Sequence, residues 1–360
     1  GHVLPGLAVA AALVERGVVA DRSDVHLVGS RRGVEVELVP GAGFGLTVLG
    51  GRGIQRRLTP ANVGALTGLL AGFLRAFLLM VRARPRVVLS LGGYASIPCG
   101  LAAVVLRVPL VVAEQNAVPG AANRLLGRFA RASAVSFVDT ALPRPELTGN
   151  PVRAAIRSAV GTRSEARARI GVDDRPLLVA FGGSLGARRI NRAVADFVEG
   201  WRGGPLAVRH VVGARGWAAG EMARAVPAGV GYTAVAYEHD MPTLLAAADL
   251  VVCRSGATSV AELAVLGVPS VLVPLPGAPG DHQTANARHL AGSGGAVLLA
   301  DTDLDGSALE EVLGELLSDA GRRDAMAEAA RCMAIPDAAD RVVDLILRHA
   351  VGRCDDVRDA

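Results

Sequence analysis

The stretch LLVAFGGSLGARRIN at residues 177–191 runs from an unbroken apolar segment through a glycine-rich turn into the start of a predicted helix. An apolar segment of this length next to glycines is typical of a parallel strand that is buried on both faces. In an open parallel sheet, ligands bind where such a strand ends and the next helix presents its free backbone N–H groups. The stretch therefore predicts an α/β fold and a candidate phosphate site at Gly182, Gly183 and Ser184. Glycine-rich turns are also common packing devices, so the pattern by itself leaves both interpretations open.

Apolar segments of the same kind recur along the whole chain, with helix-like segments between them. In the first half they lie at 26–29, 87–93, 110–116 and 132–137, and in the second half at 177–184, 208–213, 232–237, 250–256, 270–275 and 295–300. Strand alternating with helix twice over indicates two Rossmann-like, doubly wound α/β domains. After the last strand, the pattern predicts helices at 306–317, 321–334 and 338–350.

The proline-rich segment at residues 140–152, which contains TGNP, predicts the linker between the two domains. We place the first domain at residues 1–148 and the second at 149–335. We expect the helix at 338–350 to pack back on the first domain.

The composition of the 360 residues excludes several classes of protein. All 38 basic residues are arginine, so the chain has no lysine for a Schiff base, for pyridoxal phosphate or for a Walker-type phosphate loop. Aromatic residues make up 3%, which argues against a nucleic-acid partner bound by base stacking. The four cysteines form no CxxC pair, so no zinc site or disulfide framework is expected and a reducing cytoplasm fits. We assign the acidic run at 301–305 to a helix start capped by Ser307, and we predict no metal site.

The longest apolar stretch, residues 63–81, lies in a first half that carries a net charge of +8, against −4 for the remainder. Its central Arg75 and its glycines argue against a membrane span. A helix packed in the core of the first domain explains the stretch, and so does a helix whose outer face dips into lipid. Arginines flank it on both sides, at Arg52, Arg56, Arg57, Arg82, Arg84 and Arg86. Such a pattern favours an anionic partner, membrane surface or phosphate, for the first domain.

Two polar segments follow predicted strands in the second half. In CRSGATSVAEL, residues 253–263, Thr258 and Glu262 share one face of a helix, where the carboxylate can accept hydrogen bonds from both hydroxyls of a ribose. A capped helix with an ordinary surface glutamate explains the same pattern. In PLPGAPGDHQTANA, residues 274–287, the polar side chains at a helix start suit a hydroxyl-rich ligand, although Asp281 as an N-cap explains them equally.

A third polar cluster lies in the first half. Glu114, Gln115 and Asn116 come directly after a predicted strand, where a purely structural strand end needs no such groups.

Seven motifs in this order and at these spacings closely resemble the MurG family of bacterial glycosyltransferases. They are HVLPGLAVA at the start, GGYAS, EQN, TGNPVR, GGSLGA, CRSGATSVAEL and DHQTANA. The resemblance implies the B-type glycosyltransferase fold, in which two Rossmann-like domains face a cleft. It also implies transfer of N-acetylglucosamine from UDP-N-acetylglucosamine to lipid I, which makes lipid II for peptidoglycan. The second domain then holds the donor, and the first sits peripherally on the anionic cytoplasmic face of the plasma membrane.

The resemblance assigns roles to single residues. Ser184 and Arg153 match donor-binding positions, Glu262 matches the ribose-binding acid, and Gln283 matches a contact of the sugar. Further substrate-binding positions are Gly1, Asn116, Ala257 and Thr258, of which Asn116 matches a donor contact. Tyr94, Asn123, Asn191 and Arg254 fall on motif positions with less defined roles.

The implied reaction is an inverting displacement without metal or cofactor. A general base takes the proton from the muramyl 4-hydroxyl as it attacks the anomeric carbon, and UDP departs toward the glycine turn at 182–186. His2 is the first candidate for this base, because an imidazole titrates near neutrality, and Glu114 is the second. A lone histidine at such a turn is more often structural.

The sequence departs from the family pattern in two places. Ala113 stands where the family usually has a histidine before EQN. The family opens with a strand and a GGTGG loop, of which the printed sequence keeps only Gly1, so we expect the first strand and most of that loop to be missing. Two alternatives stay open: a UDP-N-acetylglucosamine 2-epimerase, which shares fold and donor, and a non-catalytic fragment that binds a nucleotide sugar.

Overall fold

The computed structural model describes residues 2–30, 34–50, 61–183 and 185–350, with the backbone alone described at 61–67. The chain divides into two compact units. The first comprises Gly1–Arg153 and Pro336–Ala360, and the second comprises Ala154–Ile335. The division after Arg153 falls five residues beyond the boundary that the sequence predicts.

The first unit alternates helix and strand. Its elements are α1 (Val3–Glu15), β1 (His26–Ser30), α2 (Glu35–Gly41), β2 (Gly45–Leu49), α3 (Ala61–Ala83), β3 (Val88–Ser90), α4 (Ser96–Val105), β4 (Leu110–Glu114), α5 (Ala121–Leu126), β5 (Ala132–Val135) and β6 (Pro145–Leu147). In the described part of this unit, the strands form two parallel sheets, β1-β2 and β3-β4-β5-β6.

Two of these strands lie where the sequence pattern predicts none. β2 is exposed at Gly45, half-buried over its three middle residues and buried only at Leu49. β6 is an edge strand within the predicted linker and pairs Pro145 with Ser133 of β5. Proline is tolerated on an edge strand because its missing N–H leaves no ladder partner unpaired. Neither strand is buried on both faces, so neither shows a continuous apolar run.

The second unit and the chain end contain the remaining elements. They are α6 (Ala154–Ser158), α7 (Arg163–Ile170), β7 (Leu177–Phe181), α8 (Arg188–Gly200), β8 (Leu206–Val211), α9 (Ala214–Ala218), β9 (Val230–Val235), α10 (Met241–Ala247), β10 (Leu250–Cys253), α11 (Ala257–Leu266), β11 (Ser270–Leu272), α12 (His282–Gly292), β12 (Ala296–Leu298), α13 (Gly306–Ser318), α14 (Ala320–Cys332) and α15 (Ala338–His349). The six strands form one parallel sheet in the order β12-β11-β10-β7-β8-β9. That order is the doubly wound arrangement, in which the chain reverses direction across the sheet between β7 and β10.

The central strands of this sheet are buried along their whole length, which explains their unbroken apolar sequence. On one side, Ile190, Val194 and Phe197 of α8 pack against β7 and β8. Leu309 and Leu313 of α13 belong to the same core. This core fixes where the strands end, and the strand ends carry the candidate site.

Helix α3 has two different faces. Its inner face packs Ala76 and Met80 into the core of the first unit, close to α4. Its outer face leaves Leu70, Leu74 and Leu78 exposed at 60%, 53% and 61%. Among the described residues, no helix is both long and apolar enough to cross a membrane.

Helix α15 belongs to the first unit although the whole second unit precedes it in sequence. Its Val342, Val343, Leu345 and Ile346 pack with α1, β4 and β5. Arg16, just after α1, donates to the Asp340 carbonyl at 3.0 Å and pairs with Asp344 at 2.6 Å. The first unit is therefore completed by the end of the described chain.

We predict that Leu345→Ala destabilises the first unit by about 2 to 5 kcal/mol, because the buried methyl groups are lost and a cavity remains. The matched control is Leu347→Ala on the same helix, since Leu345 is fully buried and Leu347 is 43% exposed. Calorimetry of the full chain measures both. An equal effect of the two variants would contradict the packing of α15 on the first unit.

Candidate active site

The point where the sheet of the second unit reverses direction brings two turns together. Phe181, the last residue of β7, pairs with Cys253, the last residue of β10, so the turns after both strands begin at the same level. Each turn leads into a helix whose N-cap residue, Ala187 before α8 or Gly256 before α11, makes no side-chain cap hydrogen bond. Free N–H groups at two neighbouring helix starts favour an anion.

The glycines after β7 have two different functions. A Cβ at Gly182 would lie 2.3 Å from the Cβ of Ala187, and one at Gly186 would lie 2.2 Å from the Val212 carbonyl oxygen. These two glycines are packing devices. Gly183 has a φ of +93° and no described atom within 4 Å of the position that a Cβ would take, so it faces open space at the strand end. Ser184 lies outside the described residues.

The turn after β10 is fixed by Arg254 and Ser255. Arg254 Nη1 donates to the Pro274 carbonyl at 2.9 Å and pairs with Asp301 at 2.6 Å. The Ser255 hydroxyl donates to the carbonyl of Gln283 at 2.8 Å, and Asn286 Nδ2 donates to the Ser255 carbonyl at 3.2 Å. The start of α12 is thereby tied to the turn, a function of Ser255 and Asn286 that the sequence did not reveal.

Four of the residues predicted to bind substrate lie near the starts of α11 and α12. Ala257 and Thr258 open α11, and Glu262 follows one turn later. Glu262 is only 6% exposed, so the alternative interpretation as an ordinary surface glutamate is wrong. Gln283 near the start of α12 accepts a hydrogen bond from the Leu275 N–H at 3.0 Å, which orients its amide.

The structure differs from the sequence analysis at two predicted helix N-caps, Asp281 for α12 and Ser307 for α13. Asp281 occupies the N-cap position of α12 but caps no backbone group, and its carboxylate accepts from the Thr284 hydroxyl at 2.7 Å. Asp305, not Ser307, caps α13 by accepting from the Ala308 N–H at 2.9 Å. The cap prediction for Ser307 is wrong because Asp305, with its extended backbone, precedes the helix while Ser307 is already inside it. In the described ranges no cluster of three or more His, Cys, Asp or Glu is arranged to hold a metal ion.

At the end of β4 in the first unit, Glu114 is a buried carboxylate with four hydrogen bonds. Oε1 accepts from the backbone N–H and the amide of Asn116, both at 3.1 Å. Oε2 accepts from the Gly120 N–H and from Asn123 Nδ2, both at 2.9 Å. The side chain is 2% exposed. Glu114 thus holds the loop between β4 and α5, and Asn116 is positioned by it.

The imidazole of His2 lies beside the same strand end. Its Nδ1 is 2.8 Å from Oε1 of Gln115. The ring packs over Gly92 and Gly93, whose φ angles are +95° and +82°. His2 as a whole residue is exposed. The structure therefore brings His2, Glu114 and Asn116 together in the first unit. Gly1 lies outside the described residues. Arg153 is half-buried and is the last residue of the first unit before the chain enters the second.

Two motif residues without a defined role, Asn123 and Tyr94, make hydrogen bonds within the first unit. Asn123 donates to the Ala113 carbonyl at 3.0 Å, and Ala113 itself packs in the core with α1 and α15. Tyr94 donates to the carbonyl of Gly50 at 3.2 Å. These contacts hold the loops of the first unit in place.

Asn191 on α8 joins a buried polar network. Its Nδ2 donates to the Val212 carbonyl at 2.9 Å and to Glu221 at 3.0 Å, and its Oδ1 lies 3.2 Å from His210 Nε2. The other ring nitrogen of His210 lies 2.9 Å from the Tyr232 hydroxyl. Burial lowers the pKa of His210 to about 4, so the imidazole is neutral at pH 7.

Comparison with known proteins places both halves of the chain in one family. Residues 1–135 match the glycosyltransferase family 28 N-terminal domain, and residues 177–342 match the family 28 C-terminal domain. The chain is 39% identical to the UDP-N-acetylglucosamine–N-acetylmuramyl-(pentapeptide) pyrophosphoryl-undecaprenol N-acetylglucosamine transferase of Desulforudis audaxviator, over 97% of this chain and 96% of that protein. It is 41% identical to the enzyme of the same name from Xylella fastidiosa, over 98% of this chain and 94% of that one.

Solved structures agree with this placement. The crystal structure of Acinetobacter baumannii MurG matches with a TM-score of 0.76 and 31% identity, over 97% of this chain and 96% of that one. A UDP-GlcNAc 2-epimerase from Neisseria meningitidis, bound to UDP-GlcNAc, matches with a TM-score of 0.66 and 12% identity, over 96% of each chain. At that identity the second likeness concerns the fold alone.

We predict that His210 makes the second unit less stable as pH falls. Its pKa is about 4 in the folded chain and ordinarily 6.5, so below pH 6.5 the unfolded state takes up a proton that the folded state does not. The loss between pH 7.5 and pH 5 is about 2 kcal/mol. His210→Gln should show a correspondingly smaller loss in calorimetry at the two pH values, and His26→Gln, at an exposed histidine, is the control substitution. Identical pH dependence in all three proteins would contradict the prediction.

Proposed function

The chain belongs to the MurG family within glycosyltransferase family 28, and on that premise we propose where it binds its substrates and how it joins them. It is a hexosyltransferase that moves N-acetylglucosamine from UDP-N-acetylglucosamine to lipid I and so forms lipid II in peptidoglycan synthesis. The observation that carries the assignment of the donor site is the pair of uncapped helix starts where the sheet of the second unit reverses, with buried Glu262 one turn away.

The donor diphosphate binds at the turns after β7 and β10. The starts of α8 and α11 supply backbone N–H groups and the positive ends of two helix dipoles, and these stabilise the charge on the departing UDP. Gly183 leaves the approach to the strand end open. By the family resemblance, Ser184 adds its hydroxyl to the diphosphate.

The nucleoside and sugar parts of the donor bind along α11 and α12. The Glu262 carboxylate accepts hydrogen bonds from the two ribose hydroxyls, and Ala257 and Thr258 line the same helix start. Gln283 contacts the sugar. Its backbone is fixed through Ser255, so the ribose and sugar positions are held by one hydrogen-bonded unit.

His2 is the general base of this proposal, and Glu114 takes a positioning role. The four donors around the Glu114 carboxylate occupy both of its oxygens, whereas Nε2 of His2 makes no hydrogen bond to a described residue. His2 takes the proton of the muramyl 4-hydroxyl while that oxygen attacks the anomeric carbon and the bond to UDP breaks. Gly1, Asn116 and Arg153 keep the substrate-binding roles that the resemblance gives them.

We further propose that the outer face of α3 docks on the anionic cytoplasmic surface of the plasma membrane. Leu70, Leu74 and Leu78 repeat at four-residue spacing, which places them on one stripe of the helix. The exposed arginines around this stripe are Arg75, Arg82, Arg84 and Arg86. Apolar side chains next to arginines suit an interfacial helix whose headgroup contacts are anionic. A peripheral enzyme held in this way meets a lipid-linked acceptor.

The alternatives have less support. The 2-epimerase interpretation has only the shared fold in its favour, at 12% identity. Donor binding without transfer of the sugar is the outcome that would support the non-catalytic alternative.

We predict that Glu262→Ala weakens binding of UDP-N-acetylglucosamine by at least about tenfold, because hydrogen bonds to a charged group contribute roughly 1.5 to 3 kcal/mol. Titration calorimetry of the full chain measures the affinity. Glu311→Ala, at an exposed glutamate of α13, is the matched control and should bind as the unsubstituted chain does.

The same proteins, incubated with labelled donor and a lipid I analogue, test the reaction. Transfer of the label to lipid is expected, reduced in Glu262→Ala. Unchanged donor affinity in that variant would overturn the ribose assignment, and conversion of the donor to its epimer without lipid would support the epimerase instead.

We predict that Leu74→Asp combined with Leu78→Asp lowers affinity for anionic vesicles by at least about tenfold, since each buried leucine contributes roughly 1.5 to 3 kcal/mol. Binding should also weaken with rising salt. Sedimentation with phosphatidylglycerol and phosphatidylcholine vesicles measures both effects, and Leu347→Asp is a control at an exposed leucine elsewhere in the first unit. Vesicle binding that depends neither on the content of anionic lipid nor on the salt concentration would refute the docking surface.

A further inference from the structure

The contact between His2 and Gln115 constrains the proton of the imidazole. The two residues are 113 positions apart, and their side chains meet at 2.8 Å through Nδ1 and Oε1. The imidazole ring lies next to Gly92 and Gly93. A Cβ added at these two positions would lie 3.3 Å and 3.5 Å from ring carbons. A side chain at Gly92 would press on the ring, whereas one at Gly93 would make an ordinary van der Waals contact with it. Both glycines adopt a positive φ, which residues other than glycine rarely adopt.

The amide of Gln115 has only one favourable orientation. Its Nε2 donates to the Ala113 carbonyl at 3.1 Å, and a carbonyl oxygen accepts but never donates. With the amide nitrogen directed there, Oε1 faces His2. Gln115 is 3% exposed and lies at the end of the buried strand β4, so its side chain has little room to turn.

That orientation decides which nitrogen of His2 carries the proton. Oε1 is an acceptor, so the hydrogen of the contact must come from Nδ1. A neutral imidazole has one N–H, and the hydrogen bond of one nitrogen sets the state of the other. Nε2 therefore holds the free lone pair, and it makes no hydrogen bond to any residue that the structure describes.

We propose that Gln115 is a positioning residue that fixes neutral His2 as the Nδ1–H tautomer, with Nε2 as the basic atom. The inference rests on the proposed function, in which His2 is the general base. The acceptor O–H bond breaks as the Nε2–H bond forms, the oxygen bonds to the anomeric carbon, and the electron pair of the broken glycosyl bond leaves with UDP. The imidazolium keeps its Nδ1–H hydrogen bond to Gln115, so the ring need not turn between the two states.

The test compares Gln115→Leu and Gln115→Glu with the unsubstituted full chain. The leucine removes the acceptor and frees the tautomer, so we expect kcat to fall by at least about tenfold with the KM for UDP-N-acetylglucosamine little changed, because general-base catalysis contributes roughly 10² to 10⁴. The glutamate keeps an acceptor toward His2 but cannot donate to the Ala113 carbonyl, so calorimetry checks that this variant folds. It should retain activity with the acid limb of the pH–rate profile moved to higher pH, because a carboxylate stabilises the imidazolium.

Nitrogen-15 NMR of the chain labelled at its seven histidines reports the tautomer directly, and His2→Ala identifies the His2 signals. We expect a protonated Nδ1 in the unsubstituted chain and in Gln115→Glu, and a shift toward Nε2–H in Gln115→Leu. The same tautomer in the unsubstituted chain and in Gln115→Leu would overturn the proposal.

A double-substitution cycle separates this effect from a structural one. Gln115→Leu should cost nothing further in a His2→Ala background, since it acts through the imidazole. An equal loss in both backgrounds would overturn the proposal in favour of a purely structural role. Full activity of His2→Ala would instead refute His2 as the base of the proposed function, and the NMR experiment then still decides whether Gln115 fixes the tautomer.

Discussion

The parallel pairing of β7 with β10 at the centre of the second unit is the interaction on which the donor site depends. Because Phe181 and Cys253 are paired, both strands end at one level and their turns lie side by side. The chain leaves β7 toward one edge of the sheet and β10 toward the other, so no crossover covers this position. Two helices can then direct their free N–H groups to the same space, which neither helix achieves alone.

Two buried carboxylates show how surroundings decide the function of a residue type. Glu114 follows a strand and is surrounded by donors from its own loop, so its charge organises the backbone between β4 and α5. Glu262 lies on a helix that begins at the reversal point of the other sheet. Both side chains are removed from solvent, yet the first is committed to loop structure and the second lies along the helix assigned to the ribose.

The first unit depends on contacts between distant parts of the chain. Helix α15 contributes Val343 and Leu345 to a core that begins with Ala8 and Val9 of α1. The salt bridge of Arg16 with Asp344 fastens the same two helices at the surface. Helix α3 divides its apolar residues between that unit's interior and its surface, so core packing explains only part of the apolar stretch. Burial accounts for one face, and the exposed face is free for another partner.

The sequence by itself determined the α/β class, the helices after residue 306 and all six strands of the second unit. The signal is strongest for β7 and β10, because strands buried on both faces are apolar at every position. It also singled out the segments proposed to carry the site, although glycines and polar groups at strand ends also serve packing and loop structure, as Gly182, Gly186 and Glu114 do here. Only the tertiary structure separated Gly183 from the packing glycines Gly182 and Gly186, whose neighbours come from other elements. It alone surrounded Glu114 with four donors and placed Gln115 against His2. Local pattern reports whether a side chain is buried, but its hydrogen-bond partners come from residues that only the folded chain brings within 3 Å, and those partners decide which atom carries a proton.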